Sequence, residues 1–165
     1  MGNALEKLRR VYTKLLVSPY AIFLFGFFVL ILTYLVRGLS LHGQESYFYY
    51  RISNLILENN IPNYDFFSFG GRAFLYSMGS PLLLVLINLI FRISLINLLI
   101  FTPIIFGFLS LVLFYYILKH FKVTSNTLSF ACYILMLSPV FLYAFTQFTS
   151  FTIPYFLTYL DFIYY

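Results

Sequence analysis

LINLLIFTPIIFGFLSLVLFYYIL, residues 95–118, is a long run without a single charged side chain. An α-helix rises about 1.5 Å per residue, so this stretch covers roughly 36 Å as a helix. That is enough to cross the about 30 Å hydrocarbon core of a bilayer with some tilt. Working outward, residues 19–37 form a first span around YAIFLFGFFVLILTYLV, residues 127–143 a third (TLSFACYILMLSPVFLY), and residues 151–165 a fourth. The chain as a whole is 62% hydrophobic and 9% charged, with a mean hydropathy of +0.91. A soluble domain devotes about a quarter of its residues to charge, and this chain cannot cover a water-facing surface. The fold class expected is an all-α polytopic membrane protein of about four transmembrane helices.

Charge sets the expected orientation. Ten Lys and Arg stand against five acids, and the positives cluster beside apolar runs, so membrane topology explains them and a nucleic-acid partner is not expected. Residues 1–18, MGNALEKLRRVYTKLLVS, carry Lys7, Arg9, Arg10 and Lys14 with apolar residues at helical spacing. They read as a basic amphipathic segment on the cytoplasmic membrane surface. Met1-Gly2 suggests myristoylation, but Glu6 occupies the position where Ser or Thr is wanted. No small-residue cleavage site follows the first span, which therefore reads as a retained anchor. The expected location is an integral protein of the plasma membrane with a cytoplasmic amino terminus.

The piece PLLLVLINLIF, residues 81–91, spans only about 16 Å as a helix, too short to cross. If it does not cross, Lys7, Arg9, Arg10, Lys14, Lys119 and Lys122 lie inside, and Arg37, Arg51, Arg72 and Arg92 outside. If it crosses, the positives divide evenly. The positive-inside rule favours a segment that lies at the interface. Residues 38–94 then form one long outer loop containing interfacial helices, followed by a short basic inner loop after residue 118. The spans, loop and tail make a single membrane region over 1–165, without internal repeats.

The aromatic content, 22 Phe and 16 Tyr with no Trp, reads as general compositional bias. Cys132 is the sole cysteine and sits in an apolar run, so disulfide, zinc and thiol-nucleophile chemistry have no support. A transporter or channel wants polar groups within its spans. Asp161 is the only charge well inside one.

The outer loop holds the chemistry. A connection of that length is usually functional or disordered, and this one has structure in its pattern. In SYFYYRISNLILEN, Phe48, Ile52, Leu55 and Ile56 give an apolar helical face, and Asn59-Asn60, Pro62-Asn63 and Gly70-Gly71 supply turns. Glu45 heads this helix, where the helix dipole favours a carboxylate. From pattern alone it is either a capping residue at a wet interface or a catalytic or metal-binding carboxylate. Asp65 and Arg72 read equally well as solvated loop charges.

The stretch Glu45-Ser46-Tyr47-Phe48-Tyr49-Tyr50-Arg51 resembles the Asp-Pro-Trp-Phe-Asn-Tyr-Arg of the first outer loop in GT-C glycosyltransferases, above all the catalytic subunit of oligosaccharyltransferases and related archaeal membrane glycosyltransferases. Further along, Asp65, Ser68-Phe69, Gly70-Gly71-Arg72, Tyr76 and Pro81 follow that family's loop pattern. The family's interfacial helix there does not cross. LSPVFLYAFTQFTS, residues 137–150, is similar to the Pro-containing end of its third span, leading into its second outer loop. The resemblance covers most of residues 20–160, about the first third of a typical member.

It implies a protein-glycosylation transferase handling a polyprenyl-phosphate-linked sugar at the outer membrane face. Glu45 would be the catalytic acid and candidate metal ligand, and Arg51, Arg72, Asp65 and Tyr47 would bind substrate. It also implies Mg²⁺ or Mn²⁺. The residues themselves support neither metal: Gly43 stands where the family places a first acid, and AFTQFTSFTIP, in the second outer loop, has none, whereas a hard cation wants several oxygen ligands. The chain is expected to be a truncated or degenerate amino-terminal part, inactive alone, with the rest of the enzyme and the lipid bilayer as partners. The alternative is a non-catalytic membrane scaffold or accessory subunit whose aromatic loop binds lipid or partner helices.

Overall fold

The structure is a computed structural model that describes residues 17–38, 40–60, 64–65, 72–73 and 78–164. The amphipathic segment expected over 1–18 lies outside these except at positions 17 and 18. The turns expected at Pro62-Asn63 and Gly70-Gly71 also lie outside them, as do Ser68, Phe69 and Tyr76. Seven α-helices are described: α1 (Pro19–Arg37), α2 (Gln44–Leu57), α3 (Gly79–Phe91), α4 (Leu95–His120), α5 (Ser125–Leu137), α6 (Pro139–Phe145) and α7 (Thr152–Tyr164). Strands β1 (Tyr64–Asp65) and β2 (Arg72–Ala73) form a minimal antiparallel pair in the connection from α2 to α3.

Local chemistry sets the helix ends. Ser18 accepts a hydrogen bond from the Ala21 N–H ahead of Pro19, whose fixed φ suits a first turn. After α2 the chain turns at Asn59, with φ 57°; Asn60 N–H bonds to Leu55 O and Asn59 N–H to Ile56 O, a left-handed stop that satisfies the last carbonyls. Lys122, with φ 54°, ends α4 in the same way.

α1 and α4 are long and apolar enough to cross a membrane, with mean hydropathy 2.2 and 2.4. The third span expected over 127–143 is broken. α5 and α6 are bent by 60° at Ser138, where Pro139 cannot donate to the helix ladder. Counted as one bent span, the pair brings the number of candidate spans to three. α7, over its described length, and α3 each have 13 residues. That is about 20 Å of helix, less than a hydrocarbon core. Large apolar side chains stand exposed around the bundle, among them Leu24, Val36, Leu89, Phe130 and Phe162. Such a surface suits lipid and not water.

α4 runs through two packed clusters. The larger joins α1, α4, α5 and α6 around Leu30, Leu111, Cys132, Met136 and Phe145. The smaller joins α2 and α3 to the first turns of α4 through Tyr49, Leu84, Leu98 and Leu99, with Phe148 inserted from the connection after α6. Lipid tails give helices little hydrophobic reason to associate, so close packing does that work. Phe23 and Phe27 meet Phe108 edge-on across α1 and α4, and Phe106 stacks on Phe156 at 4.9 Å across α4 and α7. The aromatic bias of the sequence is thus used between helices. At Gly107 a Cβ would lie 2.7 Å from Phe145 Cβ, so only glycine lets α6 press this closely on α4.

Candidate functional site

The buried face of α2 consists of Ser46, Tyr49, Ile52 and Ser53. The face expected from apolarity was Phe48, Ile52, Leu55 and Ile56; of these only Ile52 is buried. The two serines explain the rotation, since small side chains let a helix approach its neighbours closely. Ser46 Oγ donates to Phe148 O at 3.0 Å, and Tyr49 meets the Phe148 ring edge-on at 5.1 Å. α2 is therefore fastened to the connection between α6 and α7, about a hundred residues further along the chain.

Glu45 completes the joint. Ser150 donates to its Oε2 twice, from the backbone N–H at 2.7 Å and from Oγ at 3.0 Å. The Tyr143 hydroxyl approaches Oε1 at 3.4 Å. Ser150 is the first residue of a capped turn. Thr149 Oγ1 accepts from Phe151 N–H at 3.3 Å, and Thr152 Oγ1 accepts from Thr149 N–H at 3.0 Å while donating to Ala144 O at 2.8 Å. This is a reciprocal N-terminal cap with threonine at both positions. The carboxylate thus sits at the amino end of α7, where free N–H groups and the helix dipole favour negative charge. Glu45 does not cap its own helix, since α2 has no side-chain cap; its carboxylate accepts instead from Ser150, in the turn that leads into α7. Beside it, the Tyr49 phenol is pushed above its ordinary value, chiefly by burial and then by the Glu45 charge, with the Ser150 hydroxyl pulling the other way.

Gly43, where the resemblance calls for a first acid, has φ 78°. A Cβ there would lie 2.5 Å from Gln147 Oε1. The positive φ strains any residue but glycine at this position, and the Gln147 amide, the end of a flexible side chain, would have to move aside for an aspartate. Among the described residues no group of three or more His, Cys, Asp or Glu is arranged to hold a metal. Among the described residues no further acid joins Glu45 in such a group, and its Oε2 already accepts twice from Ser150.

The other expected site residues are scattered. Tyr47 is exposed, on the side of α2 away from Phe148. Arg51 is half-buried, one turn beyond. Asp65 and Arg72 are register partners in the β1–β2 pair, so the backbone brings them opposite each other, while their side chains lie outside the described residues. Asp161 is exposed on α7.

Ser46, Tyr143, Gln147, Phe148 and Ser150 form the joint with Glu45 and were not singled out from sequence. The pairing of the start of α7 with Glu45 leaves no local signature. Comparison of the chain with protein-family models, curated proteins and solved structures found no match.

Proposed function

We propose that this chain is a GT-C-type membrane glycosyltransferase-like protein that handles a polyprenyl-phosphate-linked sugar at the outer membrane face. The observation carrying this reading is that Glu45, in the first outer loop, meets Ser150, in the second. The resemblance calls for these two loops to converge on one site, and the residues that join them lie in the stretches that carry the resemblance. In this reading the amino terminus and the Lys119–Lys122 turn face the cytoplasm, α1, α4 and the bent α5–α6 pair are spans, α7 starts a fourth, and α2 and α3 lie at the outer interface. Arg51 and Arg72 pair with phosphate oxygens. Any divalent metal needs acids beyond those described here.

A second reading is favoured by one observation, the full engagement of Glu45 Oε2 by Ser150. A carboxylate used as a joint makes the chain a scaffold that binds lipid or partner helices. Binding of a polyprenyl-phosphate sugar to the protein in nanodiscs, with and without Mg²⁺, separates the two. Under the transferase reading Arg51→Ala and Arg72→Ala each weaken binding by about 10- to 150-fold, the equivalent of roughly 1.5 to 3 kcal/mol per charged contact. Without metal, Glu45→Gln leaves binding unchanged or slightly tighter. Equal affinity across all of these leaves only the scaffold.

A further inference from the structure

The carboxyl end of α1 and the short helix α6 enclose a groove of about 320 Å³ lined by Thr33, Arg37, Pro139, Tyr143, Thr146 and Gln147, among others. Arg37 is exposed in the last turn of α1. Its backbone carbonyl accepts from His42 Nε2 at 3.2 Å. Its guanidinium lies within electrostatic reach of the Tyr34 phenol, and among the described residues no acid pairs with it. Two of the groove's hydroxyls have already spent their protons. Thr33 Oγ1 donates to Leu30 O at 2.7 Å, and Thr146 Oγ1 to Leu142 O at 2.6 Å. The donors left among the lining residues are the Arg37 fork, the Gln147 amide, which also packs against Gly43, and the Tyr143 hydroxyl, whose contact with Glu45 is long. All suit an anion, and the planar fork of arginine suits phosphate best.

On the other side of α6 lies a second groove, of about 300 Å³, lined by Val140, Phe151 and Tyr155 and sharing Pro139 and Tyr143 with the first. It offers hydrocarbon and aromatic faces. The two grooves flank one seven-residue helix, a cationic end on one side and an apolar trough on the other. An amphiphile with an anionic head fits this pair; a free anion has no use for the trough.

We infer that the α1–α6 groove is a binding site for a lipid phosphate, with the phosphate on Arg37 and Gln147 and the hydrocarbon chain crossing Pro139 into the trough beside Phe151 and Tyr155. The inference extends the reading above and rests on it only for the preference for a polyprenyl chain. Glu45 opposes the anion from beyond Tyr143, but its charge is held by Ser150. The site takes the phosphate to Arg37, a residue outside the motif that carries the family resemblance.

The test is titration of the full chain, in phosphatidylcholine nanodiscs, with polyprenyl phosphate, with dioleoyl phosphatidic acid and with inorganic phosphate. Arg37→Gln should weaken binding of lipid phosphate about 10- to 100-fold, the loss expected for a charge-assisted contact. Val140→Trp, which fills the trough from an exposed position, should weaken it too. Arg92→Gln, at an exposed arginine away from the groove, should not, and inorganic phosphate should not compete. Failure of the parent chain to bind either lipid, or unchanged binding in Arg37→Gln, overturns the inference. If Arg51→Ala weakens binding while Arg37→Gln leaves it unchanged, the Arg37 site is wrong and the transferase reading stands. If Arg37 holds phosphatidic acid as tightly as polyprenyl phosphate, the site stands and the transferase reading loses its support.

Discussion

The joint between Glu45 and Ser150 yields a number. Oε2 accepts two bonds from one residue, at 2.7 and 3.0 Å, while the Tyr143 contact at 3.4 Å is long for an O–H donor and adds little. Hydrogen bonds to a charged group contribute about 1.5–3 kcal/mol each when shielded, and less where water competes, as it does at this exposed position. A carboxylate at a helix amino terminus adds about 0.3–1 kcal/mol. Glu45→Ala should therefore cost about 2 kcal/mol, and Ser150→Ala, which spares the backbone donor, about 1 kcal/mol. Once the carboxylate is gone the Ser150 hydroxyl has nothing left to hold, so the double variant should also cost about 2 kcal/mol. The coupling energy is then about 1 kcal/mol, well above the about 0.3–0.5 kcal/mol scatter of independent sites. Reversible unfolding of the four proteins in mixed micelles, titrated with a denaturing detergent, measures it. Strict additivity would refute the joint as described.

Gly43→Ala should destabilise by about 2 kcal/mol through its positive φ and the Gln147 contact; Gln147→Ala on top should restore part of that loss but not all, in the same unfolding assay. Gly43→Asp should bring in an acid without a metal site, and calorimetry with Mn²⁺ should show no binding at micromolar metal. Gly107→Ala should cost about 1–3 kcal/mol by forcing α6 from α4, read as a lowered Tm in detergent. Because the Tyr49 phenol is raised, the stability it adds is complete below its ordinary value of about 10 and lost as pH climbs past it; raising pH from about 9 to 11 should destabilise the parent chain more than Tyr49→Phe. Single cysteines at Asn3, Tyr47 and Ser125, in a Cys132→Ala background, report topology: an impermeant thiol reagent added outside should label Tyr47→Cys alone, since Tyr47 is exposed on α2.

Length and apolarity made α1 and α4 legible, because an uninterrupted run of that size has few other fates. The start of α2 at residue 44 was legible to within a residue or two, from the change to helical spacing. Its buried face was not, since apolarity alone undervalues serine, and Ser46 and Ser53 face inward for their size. The break at Ser138 was announced by Pro139 but overridden by the unbroken hydropathy around it. At the candidate site, Glu45 stood out as a rare acid. Its partner did not, because Ser150 belongs to a polar stretch with several equivalent hydroxyls and only tertiary packing selects one. The strain an acid would meet at Gly43 was likewise invisible, as it depends on the positive φ of the turn and on where the Gln147 side chain comes to rest.

The same joint sets an order of events during synthesis. Glu45 and Ser150 are 105 residues apart, and ribosomes add about 5–20 residues per second. For about 5–20 s after Glu45 emerges, its acceptor positions face water and the inward side of α2 has no Phe148 to close upon. α2 can settle against α3 and α4 in that interval, but its first turn stays open until α7 begins. Closing the joint therefore waits for the start of α7, after α1 to α6 have all been made.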